Sequence, residues 1–477
     1  MGPNLRAVEL DEDDARPEQQ PAARRSGRRR WPWALAAGLV AVSLAAGQHV
    51  VDDRHRAYLS RFERVPGVIQ ALTRDPESLW VLPAAESSGG VQVDGAIVLF
   101  GPRDDGARIE RLDPATGDAA WQVRVPAPDA AAPDDAQEAG VECRAATAPR
   151  GADPRVVCLV SPISLDYLAD GGTPTEVRVL DPRTGKTRDA WRQDVQVWAL
   201  GGDRVLTAEP TKHGGTRTWT VTARGLDGTV AWTRTLDWTV PAPRADGISP
   251  GWTLQADAEH VLLSADGHGA LLDASGAVTQ RMESDGMSSW SLARAGLVVR
   301  NDLRPTADQS AYTQESSLAT PGVPPGQELY LAVDDGSVPD LAFVTSTSGG
   351  VAAYDVRRGR QLWREAAAAP AQVLLDGVLY TETATTVLAL DARTGRTVWS
   401  QPSGFASDSV YTDGHVLYVQ SRGALRTFAL ADGTPGPTWS TTGLPLADDL
   451  ATGRFLTAWN GVLVLAGADD GGRTVVG

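Results

Sequence analysis

The chain has 477 residues, including 49 glycines, 31 prolines and only two cysteines, and its formal net charge is −16 at pH 7. A surface with this excess of carboxylates repels phosphate backbones, so we expect no nucleic acid among its partners. Abundant glycine and proline are typical of many short strands joined by turns, and a chain of this length can form one large closed domain of that kind.

The amino-terminal fifty residues have two contrasting parts. Residues 1–30 are polar and highly charged, which predicts a disordered tail, because so few apolar side chains cannot form a core. Residues 31–50 contain no Asp, Glu, Lys or Arg, and a helix of that length spans about 30 Å, the thickness of a bilayer core. Arginines up to Arg30 precede this run, and Asp52 and Asp53 follow it. The sequence predicts a single-pass anchor in a bacterial cell membrane, with a cytoplasmic amino terminus and an extracytoplasmic body.

A cleaved signal peptide is the alternative interpretation of the same run. Ser43-Leu44-Ala45 offers small residues at the required spacing, and Arg29-Arg30 resembles a twin-arginine signal. The long leader and the length of the apolar run favour a retained anchor. We interpret residues 51–76 as a juxtamembrane stalk, in which Asp52–Arg64 forms a short helix that ends before Pro66.

A repeated segment follows, of which Ala389–Trp399 is the clearest copy. It combines the end of a strand, a tight turn that contains Asp and Gly, and a second strand that contains Trp. Similar segments occur at Leu112–Trp121, Leu180–Trp191, Leu226–Trp232, Tyr354–Trp363 and Ala431–Trp439, and a weak copy without its tryptophan occurs at Leu272–Val278. Between adjacent copies the period is about 40 residues, which is typical of propeller blades.

The fixed positions of this repeat, Ala-x-Asp-x-x-Thr-Gly-x-x-x-Trp, are all matched by residues 389–399. This pattern resembles the repeat of PQQ-like β-propellers, a family that includes quinoprotein dehydrogenases and the outer-membrane assembly lipoprotein. The resemblance implies an all-β fold, with a propeller over residues 77–477 that follows one transmembrane helix. Seven recognisable turns and one composite blade suggest about eight four-stranded blades. The fold by itself implies no particular function.

The repeated Asp, Gly and Trp residues have a structural explanation. Asp caps the turn, Gly supplies a positive φ, and Trp packs between neighbouring blades. An aromatic ligand box is the weaker alternative, because one tryptophan in each blade is the period of packing. The predicted structural set is Asp113, Gly117, Trp121, Asp181, Gly185, Trp191, Asp227, Gly228, Trp232, Asp355, Gly359, Trp363, Asp391, Gly395, Trp399, Asp432, Gly433 and Trp439. The Asp376-Gly377 pair, which lies between two apolar runs, predicts a further hairpin with positive φ at both residues.

The two ends of the repeat region predict how the ring closes. Ser78–Leu82 resembles an outer, tryptophan-bearing strand with no inner strands before it, whereas the strands near the carboxyl terminus lack such a partner. We therefore expect the two ends to form one blade. The number of blades stays open between seven and nine, because residues 273–355 hold either a degenerate blade around Leu297–Glu315 or a long loop through Pro321–Gly326.

Cys143 and Cys158 lie symmetrically about a polar turn, within Val141–Ala146 and Arg155–Val160. If these runs pair as a hairpin, the two thiols face each other, and in an exported domain we expect a disulfide.

We find no pattern of catalytic, metal-binding or cofactor-binding residues. In the quinoprotein dehydrogenases that the repeat resembles, PQQ is held by a disulfide between adjacent cysteines, together with a catalytic Asp and a calcium site. The resemblance therefore implies that a PQQ-binding chain would contain such residues. Here the cysteines are 15 residues apart, so we predict no PQQ and no other cofactor. The six histidines show no metal-binding spacing.

Two functions remain in competition. The first is a membrane-tethered extracytoplasmic propeller that acts without catalysis as a scaffold for a protein, a ligand or another cell-envelope partner. Its expected contact regions are the inserted loops Pro126–Ala139, Pro241–Pro250 and Arg304–Gln327, because binding concentrates on loops carried by a rigid scaffold. The alternative is an enzyme, either a diverged quinoprotein dehydrogenase or a propeller enzyme with its site in the central funnel.

Overall fold

The computed structural model describes residues 61–477 with gaps, of which the longest are 83–88, 129–139, 147–152, 163–172, 240–251, 306–311, 319–325, 404–409, 445–454 and 467–472. The predicted tail (1–30) and anchor (31–50) lie outside the described residues. Within the described part, 36 β-strands form a series of mostly antiparallel sheets.

The first strand, β1 (Ser78–Leu82), belongs to the last blade, and four complete blades follow it along the chain. Blade 1 contains β2 (Gly89–Val93), β3 (Ala96–Arg103), β4 (Gly106–Leu112) and β5 (Ala119–Pro126). Blade 2 contains β6 (Gly140–Ala146), β7 (Arg155–Ser161), β8 (Thr173–Leu180) and β9 (Thr187–Val195). Blade 3 contains β10 (Val197–Gly201), β11 (Arg204–His213), β12 (Thr216–Gly225) and β13 (Val230–Thr239). Blade 4 contains β14 (Thr253–Ala256), β15 (His260–Ala265), β16 (His268–Asp273) and β17 (Val278–Glu283).

A sheet of three described strands comes next, formed by β18 (Ser288–Leu292), β19 (Val298–Pro305) and β20 (Tyr312–Leu318). Blade 5 contains β21 (Gly326–Glu328), β23 (Leu341–Ser346), β24 (Val351–Asp355) and β25 (Arg360–Glu365), and the intervening β22 (Leu331–Asp334) pairs in parallel with blade 6. Blade 6 contains β26 (Gln372–Leu375), β27 (Val378–Glu382), β28 (Thr386–Asp391) and β29 (Thr397–Pro402). Blade 7 contains β30 (Val410–Thr412), β31 (Val416–Ser421), β32 (Ala424–Ala429) and β33 (Pro435–Ser440). Blade 8 contains β34 (Phe455–Trp459), β35 (Val462–Ala466), β36 (Arg473–Val476) and β1.

The sheets form a closed ring. A buried apolar cluster lies between each pair of successive sheets. A further cluster, which includes Leu99, Val464 and Val475, joins blade 8 to blade 1. The predicted all-β propeller with eight four-stranded blades is confirmed, and the ring includes the three-stranded sheet as well. That sheet occupies the region predicted as a possible degenerate blade.

Blade 8 is completed by the two ends of the repeat region, as predicted. β1 pairs antiparallel with β36, with Trp80 opposite Val475 and Val81 opposite Thr474. The carboxyl-terminal strands therefore receive their outer strand from residues nearly 400 positions earlier. This pairing of the two ends closes the ring.

The interpretation of Arg304–Gln327 as one inserted loop is wrong. Seven residues of this region form β20, which pairs with β19 from Val299–Leu318 to Pro305–Tyr312. The competing interpretation, a degenerate blade, describes the region better because backbone pairing with β19 organises it.

Six of the repeat tryptophans contact the turn of the next blade. Each indole lies against the turn glycine, so closely that a Cβ on that glycine would come within 2.6–3.1 Å of the ring. The pairs are Trp80 with Gly117, Trp121 with Gly185, Trp191 with Gly228, Trp232 with Gly276, Trp363 with Gly395, and Trp399 with Gly433. Five of these indoles also donate a hydrogen bond of 2.8–3.0 Å to a carbonyl of that turn. Each contact fixes one blade against its successor through both apolar packing and a polar bond.

The turn aspartates hold the conformation that the tryptophans contact. Asp391 Oδ1 accepts hydrogen bonds from the backbone N–H groups of Arg393 and Thr394 at 3.1 and 2.8 Å. The Arg188 guanidinium lowers the pKa of the equivalent Asp181, and backbone N–H groups of the turn act in the same direction. Because its pKa is lower in the folded state, Asp181 stabilises the fold above its unfolded pKa near 4, and that contribution is lost on acidification.

The Asp376-Gly377 hairpin has the predicted backbone. Asp376 has φ 51° and Gly377 has φ 74°, and Leu375 pairs with Val378 across the two-residue turn. Asp94 and Asp266 adopt the same positive φ in comparable turns.

Cys143 and Cys158 form the predicted disulfide. They lie directly opposite each other on β6 and β7, with their Cα atoms 4.1 Å apart. Both are buried in the cluster between blades 1 and 2.

The meander of each blade divides the connections between two faces of the ring. The connections from the first to the second strand and from the third to the fourth strand lie on one face, which we call the turn face. The connections from the second to the third strand and from each blade to the next lie on the opposite face, the loop face. The longest connections, 127–139, 162–172, 240–252 and 441–454, are all of this second kind, and most of their residues, including most of the predicted loops Pro126–Ala139 and Pro241–Pro250, lie outside the described part of the chain.

We expect Gly395→Ala to destabilise the chain by about 3 kcal/mol, because the methyl group adds a clash with Trp363 to the penalty of a positive φ. Gly336→Ala is the matched control. Its φ of 71° is close to the 68° of Gly395, but nothing lies within 4 Å of the added methyl group, so it should lower stability by only about 1 kcal/mol. Urea unfolding followed by tryptophan fluorescence measures both, and equal losses would contradict the importance of the contact.

Candidate functional site

The segment before the first blade lies across the turn face. Its described residues, 61–62 and 65–76, are called the strap from here on. Phe62 and Val68 are buried in the cluster between blades 6 and 7. Ile69 and Leu72 are buried in the cluster between blades 7 and 8. The sequence places residues 51–76 in a stalk, whereas the strap belongs to the same compact unit as the propeller.

Backbone hydrogen bonds hold the strap along its length. The N–H of Ile69 donates to the Thr412 carbonyl at 2.8 Å, and the N–H of Gln70 donates to the Gly461 carbonyl at 2.9 Å. The N–H of Gly67 donates to Gln92 Oε1 of blade 1 at 3.2 Å. A Cβ at Gly67 would lie 2.1 Å from the Ala332 carbonyl oxygen, so this crossing requires glycine. The strap thus joins blades 6, 7, 8 and 1.

A buried tyrosine links the strap to blade 7. Tyr418 is 1% exposed; its hydroxyl accepts a hydrogen bond from the N–H of Leu72 at 3.2 Å and donates to Asp413 Oδ2 at 2.7 Å. The other Asp413 oxygen accepts from the backbone N–H groups of His415 and Val416, both at 2.8 Å. Burial, and next the negative charge of Asp413, raise the pKa of Tyr418 well above its usual range. Tyr418 therefore stays protonated in the fold and keeps donating to Asp413.

A cavity of about 250 Å³ lies between the strap and the ring. Its lining residues are Val68, Ile69, Gln70, Ala71, Gln92, Pro114, Asp413, His415, Gly461 and Val462. The carboxylate of Asp413 already accepts three hydrogen bonds from protein groups, so it is committed to the turn and to Tyr418. Among its lining residues, only Asp413 and His415 have titratable side chains.

On the loop face, blades 3 and 4 share a cluster of aromatic and charged side chains. Arg217 Nη1 lies 2.6 Å from Asp266 Oδ1, and both residues are at most 7% exposed. The Trp252 indole also donates to Asp266, at 3.1 Å, and the Arg217 guanidinium stacks on the Trp252 ring at 4.5 Å. Trp219 meets Trp252 edge to face at 5.1 Å. The buried Arg217–Asp266 ion pair and the aromatic rings around it thus hold the long β11–β12 hairpin of blade 3 against blade 4.

No motif in the sequence indicates the partners of the strap or the residues of this cluster. Arg217 and Asp266 are 49 positions apart and belong to no motif. The strap partners are more distant still, because Leu72 and Tyr418 are 346 positions apart. A short-range signal does exist in the apolar spacing of Val68, Ile69 and Leu72 after Pro66, which is too dense for a solvated stalk.

The disulfide differs from the one that the sequence resemblance associates with PQQ. In the family that the sequence resembles, the cofactor is held by a disulfide between adjacent cysteines, whereas Cys143–Cys158 is a cross-strand bridge packed between blades 1 and 2. The first strands of six blades, β2, β10, β14, β26, β30 and β34, contain no Asp, Glu, His, Lys or Arg. Among the described residues, no three His, Cys, Asp or Glu side chains are grouped so that they could hold a metal ion.

Residues 347–476 match a family model described as outer membrane protein assembly factor BamB. The predicted resemblance to PQQ-like propellers is confirmed. The match covers blades 6 and 7 and parts of blades 5 and 8, where the repeat is most regular. No curated protein matches the chain.

Solved propellers align with most of the chain at low identity. BamB from Moraxella catarrhalis aligns at 15% identity and a TM-score of 0.38, covering 84% of this chain and 99% of that one. A europium-containing methanol dehydrogenase aligns at 10% identity and a TM-score of 0.33, covering 86% and 91%. The quinohemoprotein alcohol dehydrogenase from Comamonas testosteroni aligns at 12% identity and a TM-score of 0.32, covering 84% and 73%. These values decide nothing about function.

In the part of the chain that the structure describes, no helix has both the length and the apolar character needed to cross a bilayer.

We expect Tyr418→Phe to loosen the strap and to lower stability by about 2–3 kcal/mol, because it removes a donor from the buried Asp413 and leaves the Leu72 N–H without an acceptor. Tyr411→Phe is the matched control. Tyr411 is also buried, and its hydroxyl donates to the neutral Leu456 carbonyl, so its loss should lower stability by about 1 kcal/mol. Urea unfolding measures both variants, and limited proteolysis within residues 61–76 reports release of the strap.

The same pair of variants has a pH signature. The pKa of Tyr418 is raised in the fold, so its contribution to stability is complete below the unfolded value near 10 and is lost as the pH rises above it. Tyr418→Phe should flatten the alkaline fall in stability. An unchanged slope would show that Tyr418 is not the buried titrating group.

Proposed function

We propose that this chain is a membrane-tethered, extracytoplasmic propeller that binds a protein partner on its loop face and does no catalysis. One observation carries the proposal: the strap lies on the turn face, opposite the longest connections. Residues 51–60 separate the strap from the apolar run 31–50, and ten extended residues reach at most about 35 Å. If that run spans the bilayer, it tethers the propeller through the strap, which engages the turn face.

The loop face has the features of a recognition surface. Long connections on a rigid scaffold are where binding residues concentrate. Both Pro126–Ala139 and Pro241–Pro250 connect the last strand of one blade to the first strand of the next. Pro126–Ala139 contains Asp129, Asp134, Asp135 and Glu138 and no basic residue, which favours a partner with a basic surface. The description of the matched family model as an assembly factor supports a protein partner.

The chemistry of the ring supports a binding role. The disulfide is far from the arrangement that holds PQQ, and the carboxylates of the described sites, Asp266 and Asp413, are engaged by neighbouring protein groups. Dye-linked dehydrogenase activity that appears when PQQ and calcium are added to the purified chain would contradict the non-catalytic part of the proposal.

Affinity capture from native membranes tests the binding face. We expect a chain in which residues 129–138 and 241–250 are replaced by short Gly-Ser linkers to recover its partners at least tenfold less well than the unaltered chain. The matched control is Arg183→Ala with Arg393→Ala, which changes two exposed turn-face residues and should leave recovery unchanged. Full recovery with the linker variant, or a loss confined to the control, would contradict the loop-face assignment.

The state of the two cysteines tests the compartment. Disulfides form and persist outside the reducing cytoplasm, so chain taken directly from its native cells and denatured in iodoacetamide, which exposes both buried cysteines, should contain no alkylated Cys143 or Cys158 until it is reduced. The matched control is the chain lacking residues 1–50 and produced in a reducing cytoplasm, in which both thiols should be alkylated at once. Free thiols in the native protein would argue against an extracytoplasmic body.

A further inference from the structure

The outer strand of blade 8, β1, has an apolar side that is exposed to solvent. Val81 is 63% exposed and Leu79 is 37% exposed, although both are large apolar residues. They flank Trp80, whose ring lies against Gly117 of the next blade. In the described sheets β1 pairs only with β36. Its second edge and the two exposed side chains together form a surface on the perimeter of the ring, which we call the β1 edge.

The other outer strands are polar where β1 is apolar. The residue that follows the repeat tryptophan is Gln122, Arg192, Thr233, Arg364, Ser400 or Ser440 in the other blades, and Val81 in β1. Each outer strand of blades 1 to 7 also contains a proline or at least two charged residues, which discourage pairing with a further strand. β1 has the sequence Ser-Leu-Trp-Val-Leu, with neither. Blade 8 therefore lacks the protection that the other blades share.

The main chain of β1 directs hydrogen-bonding groups toward this edge. Glu77 and Gly477 exchange two hydrogen bonds of 3.1 Å, so the main chain of Gly477 faces β1. The direction of these groups alternates along a strand, so Thr474, three residues earlier, faces β35 instead. Thr474 lies opposite Val81. The N–H and C=O of Val81 therefore point away from the sheet.

Carboxylates surround the end of the β1 edge at which the strand begins. Glu77 is exposed and directly precedes β1. Asp113 and Asp118 are also exposed, and both belong to the turn of blade 1 that the Trp80 indole contacts. The exposed Arg74 is balanced in charge by its neighbour Asp75. The β1 edge is thus apolar along its length and negatively charged at this end.

We propose that the β1 edge binds an extended segment of a protein partner, which adds an antiparallel strand to blade 8. Main-chain pairing would supply affinity, and alternate side chains would supply specificity. Apolar residues at two alternate positions of the segment cover Val81 and Leu79. An antiparallel segment reaches Glu77 with its carboxyl end, so a basic residue there completes the charge match.

The charge distribution favours such a partner over a second copy of this chain. If two β1 strands paired antiparallel, each Glu77 would lie beside the apolar end of the other strand, near Leu82, with no basic residue opposite. The β1 edge is a surface on the perimeter, additional to the loop face, and its occupation does not depend on the proposed binding to that face.

A synthetic peptide tests the proposal on the full chain. The probe is acetyl-Thr-Val-Thr-Val-Thr-Lys-Lys-amide, whose valines are spaced to lie opposite Val81 and Leu79. In the free protein we expect the Val81 amide to exchange rapidly with deuterium, because it points away from β36. The peptide at millimolar concentration should slow that exchange at least tenfold. The control peptide has N-methylated valines, which keep the side chains but cannot pair, and should have no effect.

Matched variants locate the peptide on β1. Val81→Arg should weaken binding of the labelled peptide, measured by fluorescence anisotropy, at least tenfold. Its thermal unfolding should stay unchanged, because arginine occupies the equivalent position in blades 2 and 5. Val398→Arg is the control: Val398 is 49% exposed on β29, which also contains Pro402, and its replacement should leave binding unchanged.

A charge exchange tests the orientation of the bound segment. Glu77→Lys should weaken binding of the lysine peptide about threefold, and a peptide with Glu in place of both lysines should regain that loss. Binding that survives Val81→Arg, or a Val81 amide that is already protected in dilute free protein, would overturn the proposal. Protection that grows with protein concentration in the absence of peptide would assign the β1 edge to a second copy instead. Capture through the loop face is measured separately, so neither result decides the other.

Discussion

The contact between a tryptophan and the turn glycine of the next blade is the constraint on which the rest of the ring depends. A propeller blade is a small twisted sheet that cannot bury both of its faces alone, so it gains stability only against its neighbours. The indole supplies a large apolar surface and a donor that must be satisfied, and the turn supplies a carbonyl for that donor. Glycine is needed at the receiving end for two reasons, a positive φ and the absence of a Cβ beneath the ring. Packing and turn geometry therefore specify each other.

The strap adds a second kind of connection to this ring. The tryptophan contacts join each blade to the next at the outer strands, whereas the strap crosses four consecutive sheets near their first strands. It crosses beside blade 8, where β1 and β36 come from opposite ends of the chain. A force applied to the amino terminus would first act on Phe62, Val68 and Leu72, which are buried between blades, before it reached β1. The strap is thus placed to protect the point of closure.

The parts of the fold that could be predicted from the sequence are those with local, repeated signals. The Asp-Gly-Trp repeat specified blades, turns and the pairing of Ser78–Leu82 with the carboxyl-terminal strands, because each copy carries its signal within about ten residues. The pairing of Cys143 with Cys158 could be predicted because the two residues lie in apolar runs on either side of a short polar turn. The strap could not be foreseen from such signals. Its four buried side chains have no regular period, and their partners lie hundreds of residues away, so sequence reasoning alone assigns these residues to a stalk. The Arg217–Asp266 pair cannot be predicted for the same reason, because nothing in the sequence indicates which charged residues of separate strands form an ion pair.

The irregular part of the ring follows the same rule as the regular part. A tryptophan at position 278 would have no turn to contact, because the next sheet has no described connection from a third to a fourth strand. The valine at position 278 and the three described strands of the next sheet are therefore consistent with each other, because an indole stabilises the ring only where a turn of the next sheet receives it. Blade 4 and the three-stranded sheet are instead joined by Leu262, Leu271, Met282, Trp290 and Val298, a cluster closer to the inner strands. Apolar packing near the centre thus joins these two sheets, between which the described residues include no outer tryptophan contact.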